Sequence, residues 1–165
     1  MGAFRLARET GLTLGEAENY VKKYFGQFPG IERYLDATRQ KARADGYVET
    51  LFGRRRYFPV FKTSMGSANR QATQRADREA VNHPIQGTAA DIIKLAMIRL
   101  NDELKAHYRA RLLLQVHDEL LLEVPLEELD EVRELVIDVM SHAFELDVPL
   151  KVEAETGANW LELKG

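Results

Sequence analysis

The feature that most constrains the fold is a long apolar stripe that begins directly after Pro84. Apolar residues recur there every three or four positions, which predicts one buried helix; they are Ile85, Ala89, Ile92, Ala96, Leu100 and Leu104. Leu112–Val124 follows as two apolar, strand-like runs around a charged centre. A buried helix next to a pair of strands predicts an α+β fold, with helices packed on a small antiparallel sheet.

Two helices are predicted in the first third of the chain. Thr13-Leu14-Gly15-Glu16 is a capping box, and the apolar spacing after it predicts a helix to about Tyr24. Pro29 and Gly30 interrupt the chain, and a second helical period follows, which is expected to stop at Asp45-Gly46.

The remaining segments carry shorter signals. Tyr47–Phe52 is β-branched and aromatic enough to predict a short strand. Residues 67–82 are helix formers with hardly an apolar stripe, so a helix there is expected to lie on something polar, and Pro84 is expected to break or bend the chain. Pro125 and the acids after it start another predicted helix, and the alternation at 150–155 predicts a half-buried strand.

Composition limits the class of protein. The chain has 165 residues, of which 45% are hydrophobic and 30% are charged, as expected of a globular protein of one domain or slightly more. Cysteine is absent, which excludes a disulfide scaffold, a cysteine-based zinc site and a thiol nucleophile. No stretch is apolar enough for a membrane span or a signal peptide, so an intracellular location and no membrane partner are expected.

The net charge of −3 conceals two opposed regions. Residues 1–111 contain 20 basic and 12 acidic side chains, a net charge of +8, whereas residues 112–165 contain 3 basic and 14 acidic ones, a net charge of −11. From Thr50 to Arg78 seven cations accompany one acid, Asp77, which predicts a surface for a polyanion. A solvated arginine-rich face is the alternative. The seven cations are Arg54, Arg55, Arg56, Lys62, Arg70, Arg75 and Arg78.

The charged centre between the two predicted strands is His117-Asp118-Glu119. A tight hairpin turn normally contains Gly or Asn at positive φ, and this one contains neither, so turn geometry does not explain the choice of residues. Two adjacent carboxylates repel each other unless a cation neutralises them, and Mg²⁺ needs only one or two carboxylates together with waters and substrate phosphates. A solvated hairpin tip is one alternative. A His/Asp/Glu hydrolase is another, although no G-x-S-x-G nucleophile motif is present.

Four blocks of the sequence, in order, resemble the family A DNA polymerases, the bacterial DNA polymerase I group. Leu114-Gln115-Val116-His117-Asp118-Glu119 is similar to motif C of that family. The resemblance extends over essentially the whole chain, down to Gly157 and Trp160. The other three blocks are Met1-Gly2-Ala3-Phe4 with Leu6-Ala7, then Thr50-Leu51-Phe52-Gly53-Arg54-Arg55-Arg56-Tyr57, then Asn82-His83-Pro84-Ile85-Gln86-Gly87-Thr88-Ala89-Ala90-Asp91.

The resemblance implies a catalytic role for the motif C residues. Asp118 is implied to hold the catalytic metals in the palm, and Glu119 to support the region of the metals and the primer terminus. His117 is implied to lie near the terminal nucleotide of the primer. The implied cofactor is Mg²⁺ in a two-metal site.

The resemblance also implies contacts with DNA. Asn82 and Gln86 match polar residues that touch the minor groove near the primer end, where acceptors lie at nearly the same place in every base pair. Read without the resemblance, Asn82 could cap a helix and Gln86 could be an ordinary first-turn residue. Arg78 matches a residue that contacts the nucleic acid, and the cluster Arg54, Arg55 and Arg56 would attract phosphates.

The implied activity is template-directed DNA synthesis, in which a nucleotide is transferred from a dNTP to a primer 3′ end and pyrophosphate is released. The implied partners are primer–template DNA, a dNTP and the remainder of the polymerase polypeptide, in the cytoplasm of a bacterium and near its nucleoid. By the same resemblance, residues 1–80 correspond to the rear of the fingers with the basic segment, and residues 81–165 to the palm with the motif C hairpin.

The family's motif A aspartate and its nucleotide-binding fingers helix are expected upstream of this chain. Two catalytic metals must be held about 3.5–4 Å apart, so the isolated chain is expected to be inactive. A non-catalytic DNA-binding module is one alternative to a polymerase. A fragment of a phage-type single-subunit RNA polymerase is another, but motif C of that group resembles His-Asp-Ser, and Glu119 therefore favours DNA synthesis.

Overall fold

The computed structural model describes residues 2–62 and 70–164. The chain divides into two compact units, Met1–Ile85 and Gln86–Gly165. Helices accompany two separate two-stranded antiparallel sheets, so the predicted α+β class is confirmed. None of the helices in the described ranges is long and apolar enough to cross a membrane.

Three helices open the first unit: α1 (Ala3–Thr10), α2 (Leu14–Gln27) and α3 (Pro29–Asp45). The predicted capping box is confirmed, because the Thr13 hydroxyl accepts from the backbone N–H of Glu16 and the Glu16 carboxylate accepts from that of Thr13. Helix α2 extends three residues past its predicted end. Helix α3 stops where predicted, at Gly46, whose φ of 81° is the left-handed conformation that glycine adopts readily.

A short hairpin follows, formed by β1 (Tyr47–Glu49) and β2 (Arg55–Tyr57). The predicted strand over 47–52 is therefore too long, because Leu51 and Phe52 belong to the turn, and β2 was not predicted at all. The side chain of Val48, the central residue of β1, is buried. It belongs to the core of the first unit, whose other buried members are Ala42, Phe58, Ala76 and Ala80.

A single helix of 38 residues, α4 (Arg70–His107), contains Pro84. Of the two outcomes predicted for Pro84, a break or a bend, the break is therefore wrong. Proline has no N–H to donate to the carbonyl four residues earlier, but buried residues lie on both sides of it, Val81 before and Gly87 after. Of the helix predicted for 67–82, residues 67–69 lie outside the described residues.

The buried side of α4 differs from the predicted one. Its first part was expected to lie on polar groups, yet Ala76 and Ala80 are buried in the core of the first unit. Alanines four residues apart form an apolar stripe that is easily missed because the side chains are small. Further along, Ile85 and Ala89 are exposed, and the predicted stripe is fully buried only from Ala96 onward.

The second unit contains the predicted hairpin and the predicted helix after Pro125. The strands β3 (Arg111–Val116) and β4 (Glu119–Glu123) pair antiparallel, and α5 (Leu129–Ser141) follows a 3₁₀ turn at Leu126–Glu128. Burying a leucine or valine contributes roughly 1.5–3 kcal/mol, so the shared core holds these elements together. Its fully buried members are Leu100, Leu104, Ala110 and Val132, against which Leu120, Leu122 and Val136 pack.

The strand predicted at 150–155 does not form in the described part of the chain. Burial alternates there as expected, with Leu150, Val152 and Ala154 partly buried and the residues between them exposed. A strand also needs a hydrogen-bonded neighbour, and periodicity in a sequence does not supply one. The prediction of a strand is therefore wrong, although the prediction of a half-buried segment is confirmed.

Candidate functional site

The candidate catalytic residues lie at the tip of the β3–β4 hairpin. Val116 and Glu119 are the last paired residues of the two strands, so the turn consists of His117 and Asp118 alone. The predicted turn also included Glu119, which the structure places at the first position of β4 instead. The side chains of His117, Asp118 and Glu119 are all exposed.

His117 has a φ of 56°, and in the ranges that the structure describes no other residue except glycine has a positive φ. Two-residue hairpin turns demand a positive φ at their first position, where glycine is preferred. A residue with a Cβ there costs roughly 1–2 kcal/mol. The side-chain amide of Gln115 donates to the carbonyl oxygen of His117 and holds the turn. The sequence thus keeps an imidazole at a position where glycine would be less strained.

Asp118 and Glu119 supply the kind of oxygen ligand that Mg²⁺ prefers. Among the residues described, neither side-chain carboxylate has a hydrogen bond or ion pair within the chain, so both are available to a ligand. No group of three or more His, Asp or Glu side chains that could hold a metal occurs within 2–62 and 70–164. The two carboxylates therefore match Mg²⁺ in the type of donor atom that they offer.

The turn between β1 and β2 carries Arg54 and is built around the buried side chain of Thr50. The Thr50 hydroxyl accepts hydrogen bonds from the backbone N–H groups of Phe52 and Arg54, at 3.3 Å and 3.2 Å. The backbone N–H of Thr50 donates to the carbonyl of Arg54, and that of Gly53, at a φ of 77°, donates to the carbonyl of Thr50. Thr50 thus holds the conformation of the loop that contains Arg54, the first arginine of the cluster.

Within the described residues, Arg55, Arg56 and Arg75 of the basic stretch are paired with acids, which corrects the prediction that its cations have almost no counter-charge. Arg55 Nε lies 2.8 Å from an oxygen of Glu49, and Arg56 lies 2.6 Å from an oxygen of Glu79. Arg75 Nε contacts the other oxygen of Glu79 at 2.8 Å. Both acids lie immediately outside the stretch from Thr50 to Arg78, Glu49 before it and Glu79 after it, so the charge count over that stretch omits them.

The ion pairs keep both acids charged. The hydrogen bond from Arg55 lowers the pKa of Glu49, with help from Lys41, and the hydrogen bond from Arg75 lowers the pKa of Glu79, with help from Arg56. Arg55 also lies over the ring of Tyr47, with its guanidinium carbon 4.5 Å from the ring centre.

Arg78, Asn82 and Gln86 follow one another at four-residue intervals along α4 and are exposed. Within the described chain their side chains make no hydrogen bond or ion pair. Arg78 and Asn82 lie in the first unit, and Gln86 is the first residue of the second. These side chains are therefore available to an external partner in a way that Arg55 and Arg56 are not.

Each unit brings together a different subset of the predicted site residues. The first unit holds the arginine cluster 54–56, Arg78 and Asn82, and it ties Arg56 to α4 through Glu79. The second unit holds Gln86 and gathers His117, Asp118 and Glu119 at one hairpin tip.

Sequence reasoning missed three polar residues that organise the basic hairpin, namely Thr50, Glu49 and Glu79. A usable signal existed for one of them: once 55–57 is recognised as a strand, Glu49 falls directly opposite Arg55. Glu79 is 23 residues from Arg56, and no local pattern connects the two.

The α+β fold, the arginine-bearing hairpin of the first unit and the carboxylate pair at a hairpin tip of the second agree with the class that the resemblance implies, the nucleic-acid polymerases. Comparison with known proteins makes this specific. The model of DNA polymerase family A matches residues 1–162. The chain therefore belongs to DNA polymerase family A.

Relatives and a solved structure agree with the family. DNA polymerase I of Thermus filiformis is 48% identical over 164 residues, covering 99% of this chain and 19% of the relative. DNA polymerase I of Deinococcus radiodurans is 48% identical over 164 residues, covering 99% and 17%. The POL domain of Pol1 from M. smegmatis, solved in complex with DNA primer-template and dNTP, superposes with a TM-score of 0.90 at 44% identity and covers 99% of this chain and 28% of that one. The chain thus spans about a fifth of the length of the curated relatives it matches.

Proposed function

We propose that this chain contributes the motif C carboxylates and part of the DNA-binding surface to a DNA-directed DNA polymerase. The reaction transfers a nucleotide from a dNTP to the 3′ end of a primer on a template and releases pyrophosphate. The observation that carries the proposal is the two-residue turn at which Asp118 stands exposed, beside Glu119, at the tip of a hairpin whose base is packed in the core.

Asp118 is proposed to bind the catalytic Mg²⁺, and Glu119 to support it. When bound, Mg²⁺ supplies charge stabilisation for the transferring phosphoryl group. The protein's own contribution is positional: the hairpin tip presents an exposed Asp118 carboxylate that has no ion pair among the described residues, and His117 is the other residue of the same two-residue turn. We assign His117 to the neighbourhood of the primer terminus.

The DNA-binding surface is proposed to include Arg78, Asn82 and Gln86 on α4, because these exposed polar side chains lack partners among the described residues. An amide side chain can test the minor-groove acceptors of any base pair without reading sequence. The cluster of Arg54, Arg55 and Arg56 would attract phosphates, although Arg55 and Arg56 must exchange carboxylate partners to do so. The M. smegmatis complex with primer-template and dNTP supports both partners.

The remainder of a polymerase polypeptide is a required partner in this proposal. The described residues contain no cluster of three metal-binding side chains, and two metals cannot be clamped by Asp118 and Glu119 alone. We assign residues 1–80 to the rear of the fingers and residues 81–165 to the palm. Because its substrate is DNA, the protein would act at the nucleoid in the bacterial cytoplasm.

A chimaera tests the proposal: this chain replaces the matching 164-residue segment of the Thermus filiformis polymerase. With Mg²⁺, primer–template and dNTPs, the chimaera should extend the primer, whereas Asp118→Asn should lose extension and still bind the DNA. Extension by Asp118→Asn at the rate of the unaltered chimaera would contradict the assigned role. Extension with rNTPs in preference to dNTPs would contradict DNA synthesis. The purified 165-residue chain alone should not extend the primer.

A non-catalytic DNA-binding module is the second candidate, because no group of three or more side chains that could hold a metal occurs among the described residues. Such a module would bind the primer–template in the same chimaera and would extend it neither with nor without Asp118. The unaltered chimaera therefore separates the two functions.

A further inference from the structure

Glu79 bridges two arginines of the basic stretch. One carboxylate oxygen contacts Arg75, one turn earlier on α4, at 2.8 Å, and the other contacts Arg56 of strand β2 at 2.6 Å. The side chains of Arg56 and Arg75 are 46% and 77% exposed, so both guanidinium groups face solvent while they share this acid.

Glu79 also lies among the residues proposed to contact DNA. On a helix, positions 75, 79 and 82 fall on one stripe, with 78 beside it, because neighbours on a face are three and four residues apart. Arg75, Arg78 and Asn82 are exposed, and Glu79 is 31% exposed between them. A negative charge in the middle of a cationic stripe is the opposite of what maximal phosphate affinity requires.

We propose that Glu79 is an affinity-limiting residue, which competes with DNA phosphates for Arg56 and Arg75. The inference rests on the proposed function in that it takes the α4 stripe as part of the DNA surface. In the free protein the two guanidinium groups are bound to the carboxylate. A phosphate that approaches either arginine must displace Glu79 or share the arginine with it, and it meets the repulsion of the remaining negative charge in both cases.

Neutralising this carboxylate releases both arginines without removing a cation. The arginine hydrogen bonds hold the pKa of Glu79 below its ordinary value, so the carboxylate is fully charged at neutral pH and competes at full strength. Each additional phosphate neutralised by the protein steepens the slope of log K against log salt concentration by about 0.9. The proposal therefore predicts both a higher affinity and a steeper salt dependence.

The experiment compares Glu79→Gln with the unaltered 165-residue chain. Binding of a fluorescein-labelled primer–template duplex is followed by anisotropy between roughly 50 and 300 mM NaCl, without dNTP or divalent metal. Glu79→Gln should bind about threefold to tenfold more tightly at about 0.1 M NaCl, with a slope steeper by about one. It should also elute from immobilised heparin at a higher salt concentration, a readout that needs no polymerase activity.

The matched control is Glu134→Gln, which removes the same charge from an exposed residue of α5 that has no partner within the described residues. Equal gains in the two variants would show a bulk charge effect and overturn the inference. The inference also fails if neither Glu79→Gln nor the parent binds DNA or heparin. In a protein that also carries Arg56→Gln and Arg75→Gln, Glu79→Gln should no longer raise the affinity for DNA. If it still does, Glu79 does not act through these two arginines.

These results are separable from a failure of the proposed function. If Glu79→Gln gains affinity while the chimaera never extends a primer, the competition stands and the catalytic proposal fails. If the chimaera extends primers while Glu79→Gln binds DNA no more tightly than Glu134→Gln, the catalytic proposal stands and the proposed competition by Glu79 fails. Circular dichroism of each variant checks that a change in binding is not a loss of folding.

Discussion

Arg43 and Asp77 form a two-pronged ion pair, in which Nε and a terminal guanidinium nitrogen of Arg43 each contact a different carboxylate oxygen of Asp77, at 3.0 Å and 2.6 Å. The pair joins the last turn of α3 to α4 across 34 residues of sequence. Asp77 is the single acid inside the basic stretch, and it binds an arginine from outside that stretch. The pair is therefore a structural link between two helices.

We predict that Asp77→Asn lowers the free energy of unfolding of the first unit by about 1 kcal/mol, because a neutral amide keeps one hydrogen bond but loses the charge. The effect is limited because the Arg43 side chain is 56% exposed and solvent screens the pair. Chemical denaturation measures it. Asp36→Asn, which alters a pair within one helix turn, should change stability by less.

Thr50→Val should destabilise the β1–β2 hairpin by about 1–2 kcal/mol. The substitution keeps the shape of the buried side chain, which is 5% exposed, and removes the acceptor of the Phe52 and Arg54 backbone N–H groups. Hydrogen exchange should become faster at these two amides. Thr50→Ser keeps the hydroxyl and should protect them nearly as well, and equal exchange in the Val and Ser variants would contradict the role of the hydroxyl.

Gly46→Ala should lower the free energy of unfolding by about 1–2 kcal/mol for two separable reasons. The φ of 81° strains any residue with a Cβ, and a Cβ there would lie 2.6 Å from Cε of Lys62. Lys62 is held across Gly46 because its ammonium donates to the carbonyl of Ala44. In a Lys62→Ala background only the strain should remain, so a double-mutant cycle measures the clash. Strict additivity would show that Lys62 moves aside.

Local signals in the sequence predicted much of the fold. The capping box at Thr13, the stop at Gly46 and the apolar runs of the β3–β4 hairpin each act over a few residues, and all three are confirmed. The motif C residues were predicted from the resemblance, and because they are contiguous in the sequence they lie together at the tip of the hairpin. Whether they bind metal stays a prediction.

What the sequence did not predict depends on contacts between distant segments. The Arg56–Glu79 pair requires knowing that β2 packs beside α4, and the side of α4 that is buried depends on which elements cover it at each point. Pro84 was expected to break or bend the chain because proline disfavours a helix locally, yet α4 continues through it, with buried residues on either side. The prediction of a strand at 150–155 was wrong because the alternating burial is present there, but no neighbouring strand pairs with it in the described residues.

Acid should destabilise the first unit through Glu49. Its pKa is held below the ordinary value of 4.5 by the hydrogen bond from Arg55. A carboxylate whose pKa is lower in the folded state contributes stability above its unfolded pKa and loses it as the pH falls through the folded one. Between about pH 6 and pH 3 the free energy of unfolding should therefore fall, and Glu49→Gln should show a shallower fall. A curve for Glu49→Gln that runs parallel to the parent curve would contradict the pairing.

The strained turn at His117 gives the last prediction. The backbone of His117 has a φ of 56°. His117→Gly relieves the strain of a Cβ at this φ, but glycine also has the greater backbone entropy in the unfolded chain. The free energy of unfolding of the second unit should therefore rise by about 1 kcal/mol or stay unchanged. His117→Val, which is β-branched, should lower it by about 1–2 kcal/mol. Thermal unfolding ranks the three proteins.

The glycine variant also tests whether the strain serves function. If the imidazole acts near the primer terminus, His117→Gly in the chimaera should extend primers more slowly although its hairpin is at least as stable, a trade of activity for stability. His117→Asn offers a polar side chain that tolerates positive φ and separates backbone strain from loss of the imidazole. A glycine variant that is as active as the parent would show that the histidine is dispensable, and one that is markedly less stable would show that the turn is not strained.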